Sequence, residues 1–230
     1  ERGFAAVSTP IATILSEELG ISRDRIAVFP NGADTRLFYP RGRAESRRLL
    51  GWPADGFIVA FVGHFVESKG PLRVLEAIGG IDGALGVFLG RGPQRPSGPK
   101  VLCSGEMQHD ALPVALSACD AFVLPTTHEG SSNAVAEAMA CGLPIVTSLG
   151  DFMDDLVDET VAMRVDPYDI EGIRLAVRAL MTTPTRRDGI AAAALRKGRE
   201  RNAEARARGI LGWMATRLNG NAPDARGSGQ

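Results

Sequence analysis

Six apolar, β-rich runs recur along the middle of this chain: Phe57–Val62, Leu85–Leu89, Val101–Cys103, Ala121–Leu124, Pro144–Thr147 and Val161–Val165. Helical patterns separate most of them, at Pro71–Ile78, Asp110–Ala118, Ser132–Ala140 and Asp151–Val157, and further helices follow over Ile170–Met181 and Arg186–Leu218. Strands that are apolar almost throughout are buried on both faces, and their alternation with helices predicts a parallel sheet covered on both sides. Right-handed crossovers then make the fold α/β, doubly wound and Rossmann-like. Ligands of such sheets bind beyond the carboxyl ends of the strands. That directs attention to the loops at 63–70, 90–93, 103–109 and 126–133.

Ahead of this region, Phe4–Ser8 reads as a strand end. Thr9-Pro10 opens a helix that Gly20 closes, and Ile26–Phe29 is a short strand before the Pro30-Asn31-Gly32 turn. Residues 219–230, rich in Gly, Asn and Pro, read as a disordered tail. A formal net charge of −1 on 230 residues gives no electrostatic reason for nucleic acid as a partner. No apolar run approaches the roughly 20 residues that span a bilayer. Cys103, Cys119 and Cys141 lack metal spacing and read as buried free thiols of a reducing, cytoplasmic compartment.

The most informative segment for function runs from His128 to Gly142. Glu129 stands in the loop after the Ala121–Leu124 strand, and Glu137 lies eight positions later, about two turns into the following helix. Between them the N–H groups of Ser131, Ser132 and Asn133 mark a helix start, which suits an anion. Eight residues of helical rise make roughly 12 Å, about the length of a sugar–diphosphate–ribose chain. On this reading Glu129 meets sugar hydroxyls, the helix start takes phosphate, and Glu137 takes a ribose diol. The residues alone equally allow a plain serine cap and a surface glutamate. Lys69, one of only three lysines, lies in the 63–70 loop where Gly63 ends a buried strand, although an exposed lysine would read the same way.

Other chemistries find less support. Gly90-Arg91-Gly92 begins like a dinucleotide fingerprint, but Pro93 and Pro96 prevent the helix that has to follow. The 63–70 loop lacks the Gly-Lys-Ser/Thr ending of a Walker loop. His64, His109 and His128 are too scattered for a metal site, and no nucleophile elbow is present.

An ordered set of motifs resembles the family-4 retaining glycosyltransferases, in their carboxyl-terminal nucleotide-sugar-binding domain. The set comprises Pro30-Asn31-Gly32-Ala33-Asp34 with Phe38 and Pro40; Phe61-Val62-Gly63-His64 with Lys69-Gly70; Leu89-Gly90 with Gly92-Pro93; Leu124-Pro125 leading to Glu129-Gly130; and Glu137 through Ser148. The resemblance implies one half of a GT-B architecture. Residues 1–25 would be the end of an amino-terminal acceptor domain and its linker, 26–200 the donor domain, and 201–218 a helix crossing back. It implies transfer of a sugar from a nucleoside diphosphate, UDP in preference to GDP, to a glycan, lipid or small-molecule acceptor. Glu129 is then the catalytic candidate, and Gly63, His64, Lys69, Leu102, Cys103, Met107, Glu129, Gly130, Ser131, Ser132, Asn133 and Glu137 bind the donor, with Met107 and the Leu102–Cys103 backbone beside the base. Lys69 and the helix start stand in for a metal ion, so neither metal nor cofactor is expected. The acceptor, and any peripheral membrane contact, belong to the amino-terminal domain, so this chain alone would bind nucleotide and transfer little or nothing. Two departures stand out: His64 replaces a frequent arginine, and Leu149–Asp155 replaces a glycine-rich loop. They support one alternative, a noncatalytic binding module; a sugar-nucleotide epimerase or a phosphorylase on the same fold is a further one, the phosphorylase disfavoured because none of the three lysines is an obvious pyridoxal phosphate carrier.

Overall fold

The structure, a computed structural model, describes residues 3–219. In chain order the elements are β1 (Phe4–Ala6), α1 (Thr9–Glu17), β2 (Ile26–Val28), α2 (Arg43–Leu50), β3 (Phe57–Val62), α3 (Pro71–Gly79), β4 (Ala84–Leu89), β5 (Val101–Gly105), α4 (Leu112–Ser117), β6 (Ala121–Leu124), α5 (Asn133–Ala140), β7 (Ile145–Ser148), β8 (Ala162–Val165), α6 (Ile170–Thr182), α7 (Pro184–Glu200) and α8 (Ala203–Asn219). The expected strands and most of the helices are in place. The 219–230 tail lies outside the described residues apart from Asn219, which ends α8. Among the described residues no helix is long and apolar enough to cross a membrane.

Six parallel strands form the main sheet in the order β5-β4-β3-β6-β7-β8. The chain therefore winds outward from β3 in one direction and from β6 in the other. Because crossovers are right-handed, α3, between β3 and β4, and α5, between β6 and β7, lie on opposite faces of the sheet. α3 packs with α6, whereas α5 packs with α7 and α2 with α4. The order reverses between β3 and β6, and the crevice above their carboxyl ends is where such a sheet takes its ligand. Phe61, Phe65 and Phe88 interlock in the core below that crevice, with ring centroids 6.0–6.2 Å apart.

A buried ionic anchor ties the opposite, amino-terminal end of β3 and β6. Asp120 accepts from Arg47 Nη2 at 2.6 Å and from Ile58 N at 2.7 Å, and also from Arg43. Arg47 further donates to the carbonyls of Ala118 (2.9 Å) and Ala54 (2.7 Å). Two charges leave water here, but every group has a partner.

β1 and β2 form a separate parallel pair, packed around Ala6, Ala12 and Ile26. The pair spans the division expected at residues 25/26. Trp213 of α8 meets Phe29 edge-on at 6.2 Å, so the last helix lies against this small unit. The expected single helical stretch 186–218 is broken at Arg201–Asn202, and Asn202 Oδ1 caps α8 by accepting from Ala205 N at 2.8 Å. The break is where the chain passes Gly32: a Cβ there would stand 2.1 Å from the Arg201 carbonyl. Gly32→Ala is expected to cost about 1–3 kcal/mol by overpacking. A thermal melt of the variant measures it.

The helix expected over Asp151–Val157 is reduced to a 3₁₀ turn, Asp151–Met153. Arg164 explains why. Its guanidinium donates to the carbonyls of Ser148 (3.2 Å) and Gly150 (2.6 Å) and pairs with Asp154 at 2.6 Å, holding the loop in a bend. Asp155 is thereby presented to α1, where it accepts from Thr9 N at 2.6 Å and Thr9 Oγ1 at 2.8 Å.

Candidate donor-binding site

The crevice above β3 and β6 is built from three loops laced together by backbone bonds. The loop after β3 is joined to the loop after β4 through Gly63 N to Leu89 O (3.0 Å) and Phe65 N to Arg91 O (2.7 Å). Gly90 permits this approach: its φ is 152° and a Cβ would lie 1.9 Å from the Gly63 carbonyl. The loop after β6 hangs from the same segment by Thr127 N to Ser68 O at 2.8 Å.

The Pro30-Asn31-Gly32 turn now acquires a physical role. Asn31 N donates to Ser131 Oγ (2.9 Å) and Asn31 Nδ2 to Ser131 O (3.0 Å), which fixes the approach to α5. Ser132 is the N-cap, its hydroxyl accepting from Val135 N at 3.3 Å. The N–H groups of Asn133 and Ala134, the first helical positions, have no intrahelical acceptor and open on the crevice.

The resulting cleft holds about 490 Å³ and gathers Gly63, His64, Lys69, Met107, Glu129, Ser131, Ser132 and Asn133 of the expected residues. Lys69 sits in a 3₁₀ turn, Glu67–Lys69, ended by Gly70 at φ 73°. Its Nζ lies 2.6 Å from Glu129 Oε1, and the two side chains are only 20% and 16% exposed. The cation expected at the phosphates and the carboxylate expected at the sugar are thus paired with each other, a contact that spacing in the sequence does not reveal.

Four expected residues lie off the cleft walls. Gly130 faces Val7 of the small unit. Leu102 and Cys103 are committed to β5, where Cys103 pairs with Val87. Glu137 is turned inward, its side chain 13% exposed, with Oε1 3.1 Å from His109 Nε2. Burial raises the Glu137 pKa, partly offset by the hydrogen bond and charge of His109. His109 in turn packs edge-on against buried Phe38, centroids 5.1 Å apart. Its part was missed because nothing in sequence spacing links residue 109 to 137. Arg91 and Glu106, which line the far wall 3.8 Å from each other, were also missed. Cys119 and Cys141 are buried free thiols and Cys103 is half-buried. Among the described residues no three His, Cys, Asp or Glu side chains gather into a metal-holding group.

Residues 42–197 match the profile of the glycosyl transferases of group 1. The chain belongs to that family. This group 1 glycosyltransferase chain is 30% identical to the D-inositol 3-phosphate glycosyltransferase of Thermomonospora curvata over 88% of its own length and 52% of the relative's. It is 31% identical to the lipopolysaccharide core biosynthesis glycosyltransferase LpsD of Rhizobium meliloti over 80% of this chain and 55% of that one. It therefore spans about half the length of the curated relatives it matches. Among solved structures, sucrose-phosphate synthase of Thermosynechococcus elongatus superposes with a TM-score of 0.80 at 26% identity, covering 95% of this chain and 58% of that one. HepE of Anabaena, solved with UDP and glucose, superposes at 0.80 and 19% identity over 92% and 62% of the two chains, a likeness of fold. The six-stranded unit of this group 1 glycosyltransferase is one Rossmann-like half of the GT-B architecture.

Proposed function

We propose that this chain is the donor-binding half of a family-4 retaining glycosyltransferase, which moves a sugar from a nucleoside diphosphate, UDP in preference to GDP, to an acceptor held by another domain. The observation that carries the reading is the convergence of Lys69, Glu129 and the α5 N-terminus on one cleft at the switch point of the sheet. A diphosphate placed between Lys69 and the free N–H groups of Asn133 and Ala134 meets one full positive charge and the positive end of a helix dipole. Those groups stabilise the charge that grows on the departing diphosphate without a metal ion. Glu129 accepts sugar hydroxyl hydrogens, while Met107 and the far wall border the base. Catalysis needs the acceptor domain, so this chain binds donor and transfers nothing alone. A reducing, cytoplasmic setting accords with its free thiols. Titration calorimetry with UDP and GDP tests the reading, and absence of binding by either would refute it.

Glu137 is given the ribose. Oε1 is taken by His109, and among the described residues Oε2 has no protein partner, so one hydroxyl can bind there. Glu137→Gln is expected to weaken UDP about tenfold, the scale of one hydrogen bond to a charged group. The same change stabilises the protein at neutral pH. The folded state raises the Glu137 pKa, so ionising this carboxyl opposes folding as pH climbs through the raised value, and glutamine escapes that cost. Melting curves of the two proteins should converge near about pH 4, where both side chains are neutral, and separate near about pH 8. Unchanged UDP affinity in the variant would remove Glu137 from the ribose.

A further inference from the structure

We propose that Glu129 makes the cleft prefer the sugar-bearing nucleotide over the free nucleoside diphosphate, by competing with phosphate for Lys69. The inference rests on the donor-binding reading above and deepens it. The Lys69 ammonium is engaged by the protein itself, 2.6 Å from Glu129 Oε1 and 3.5 Å from the His128 carbonyl. With side chains 20% and 16% exposed, the pair is screened less than a surface pair would be. Arg91, also on the cleft wall, is 74% exposed and lies 3.8 Å from Glu106, so its charge is far more screened by solvent than that of Lys69.

Any diphosphate that reaches Lys69 must weaken this pair and bring negative charge beside a half-released carboxylate. The two ligands differ in what they offer in return. A nucleotide sugar carries hydroxyls that donate to Glu129, so the carboxylate exchanges an ammonium for hydrogen bonds. A free nucleoside diphosphate has no such donor. Its terminal phosphate also carries an extra ionisation that the sugar ester lacks. Both differences act against the nucleotide alone, so the residue that receives the sugar also favours departure of the spent nucleotide. The loop that carries Glu129 is held close to Lys69 by Thr127 N to Ser68 O at 2.8 Å and by Thr126 Oγ1 to His128 O at 2.9 Å.

The test is calorimetric titration of the wild-type chain and of Glu129→Gln with UDP, GDP, UDP-glucose and GDP-mannose. Glutamine keeps the shape and removes the charge, and a thermal melt establishes that the variant is folded. The expected result is that Glu129→Gln binds the free diphosphate about tenfold more tightly and the sugar nucleotide no better, so the preference for the sugar form collapses. Glu129→Ala should show the same gain for the free diphosphate. If the variants bind the free and sugar-bearing nucleotides in the wild-type ratio, the inference is overturned while the donor-site reading survives. If the wild-type chain binds none of the four, both fall.

Discussion

Asp120→Ala is expected to destabilise the fold by about 3–5 kcal/mol, the cost of removing one partner from a buried ion pair. The residue lies at the foot of β6, with its side chain 7% exposed, and it receives hydrogen bonds from Arg47, Arg43 and the backbone of Ile58. Alanine leaves the Arg47 guanidinium, itself 6% exposed, with carbonyl partners but no counter-charge, and orphans the Ile58 N–H. For a chain of this size the melting temperature should fall on the order of 10 °C. Asn should fall between, since it can still accept from Ile58 N but supplies no charge. Replacing Asp120 and Arg47 together by apolar residues of similar volume should recover most of the loss, because desolvation then disappears along with attraction. The anchor sits at the opposite end of the strands from the cleft, so the folded fraction of each variant should bind nucleotide as the wild type does. A loss below about 1 kcal/mol for alanine would show that the pair is no stronger than a surface salt bridge.

The architecture was legible because the signals that set it are local. The run Phe57–Val62 is buried at five of its six positions, so its sequence could be apolar almost throughout, and that pattern marks a strand inside a parallel sheet. The same logic found Lys69 and Glu129, since loops at strand ends are where such a sheet binds ligands. What escaped the sequence depends on side-chain pairings between separate segments. Arg164 breaks the expected helix at 151–157 from the strand that follows it, β8, and helix propensity carries no sign of that guanidinium. Arg201–Asn202 interrupts the last helix because Gly32 packs there, a contact invisible in either segment alone. Spacing places Glu137 two turns into α5 but carries no sign that one of its carboxylate oxygens meets His109.

Lys69→Met should lower the affinity for UDP about 100-fold. The lysine supplies the one largely enclosed ammonium among the described residues of the cleft, beside the free N–H groups at the start of α5. Methionine keeps the aliphatic stem and removes the charge. It also leaves Glu129 without its partner, so an incoming diphosphate meets an uncompensated carboxylate as well as a missing cation. Both effects have the same sign. Stability should change by less than about 1 kcal/mol, since Glu129 lines an open cleft and can rehydrate once its partner is gone. Binding and folding are therefore expected to separate cleanly, with a near-normal melt and a lost titration signal. Lys69→Arg should retain part of the affinity, because the charge remains while the planar, longer head changes how it meets a phosphate. In an assembly that contains the acceptor domain, the loss in turnover should exceed the loss in binding, because charge on the leaving diphosphate is greatest in the transition state. Wild-type UDP affinity in Lys69→Met would shift the phosphate site to Arg91 on the opposite wall, and with it the sugar away from Glu129.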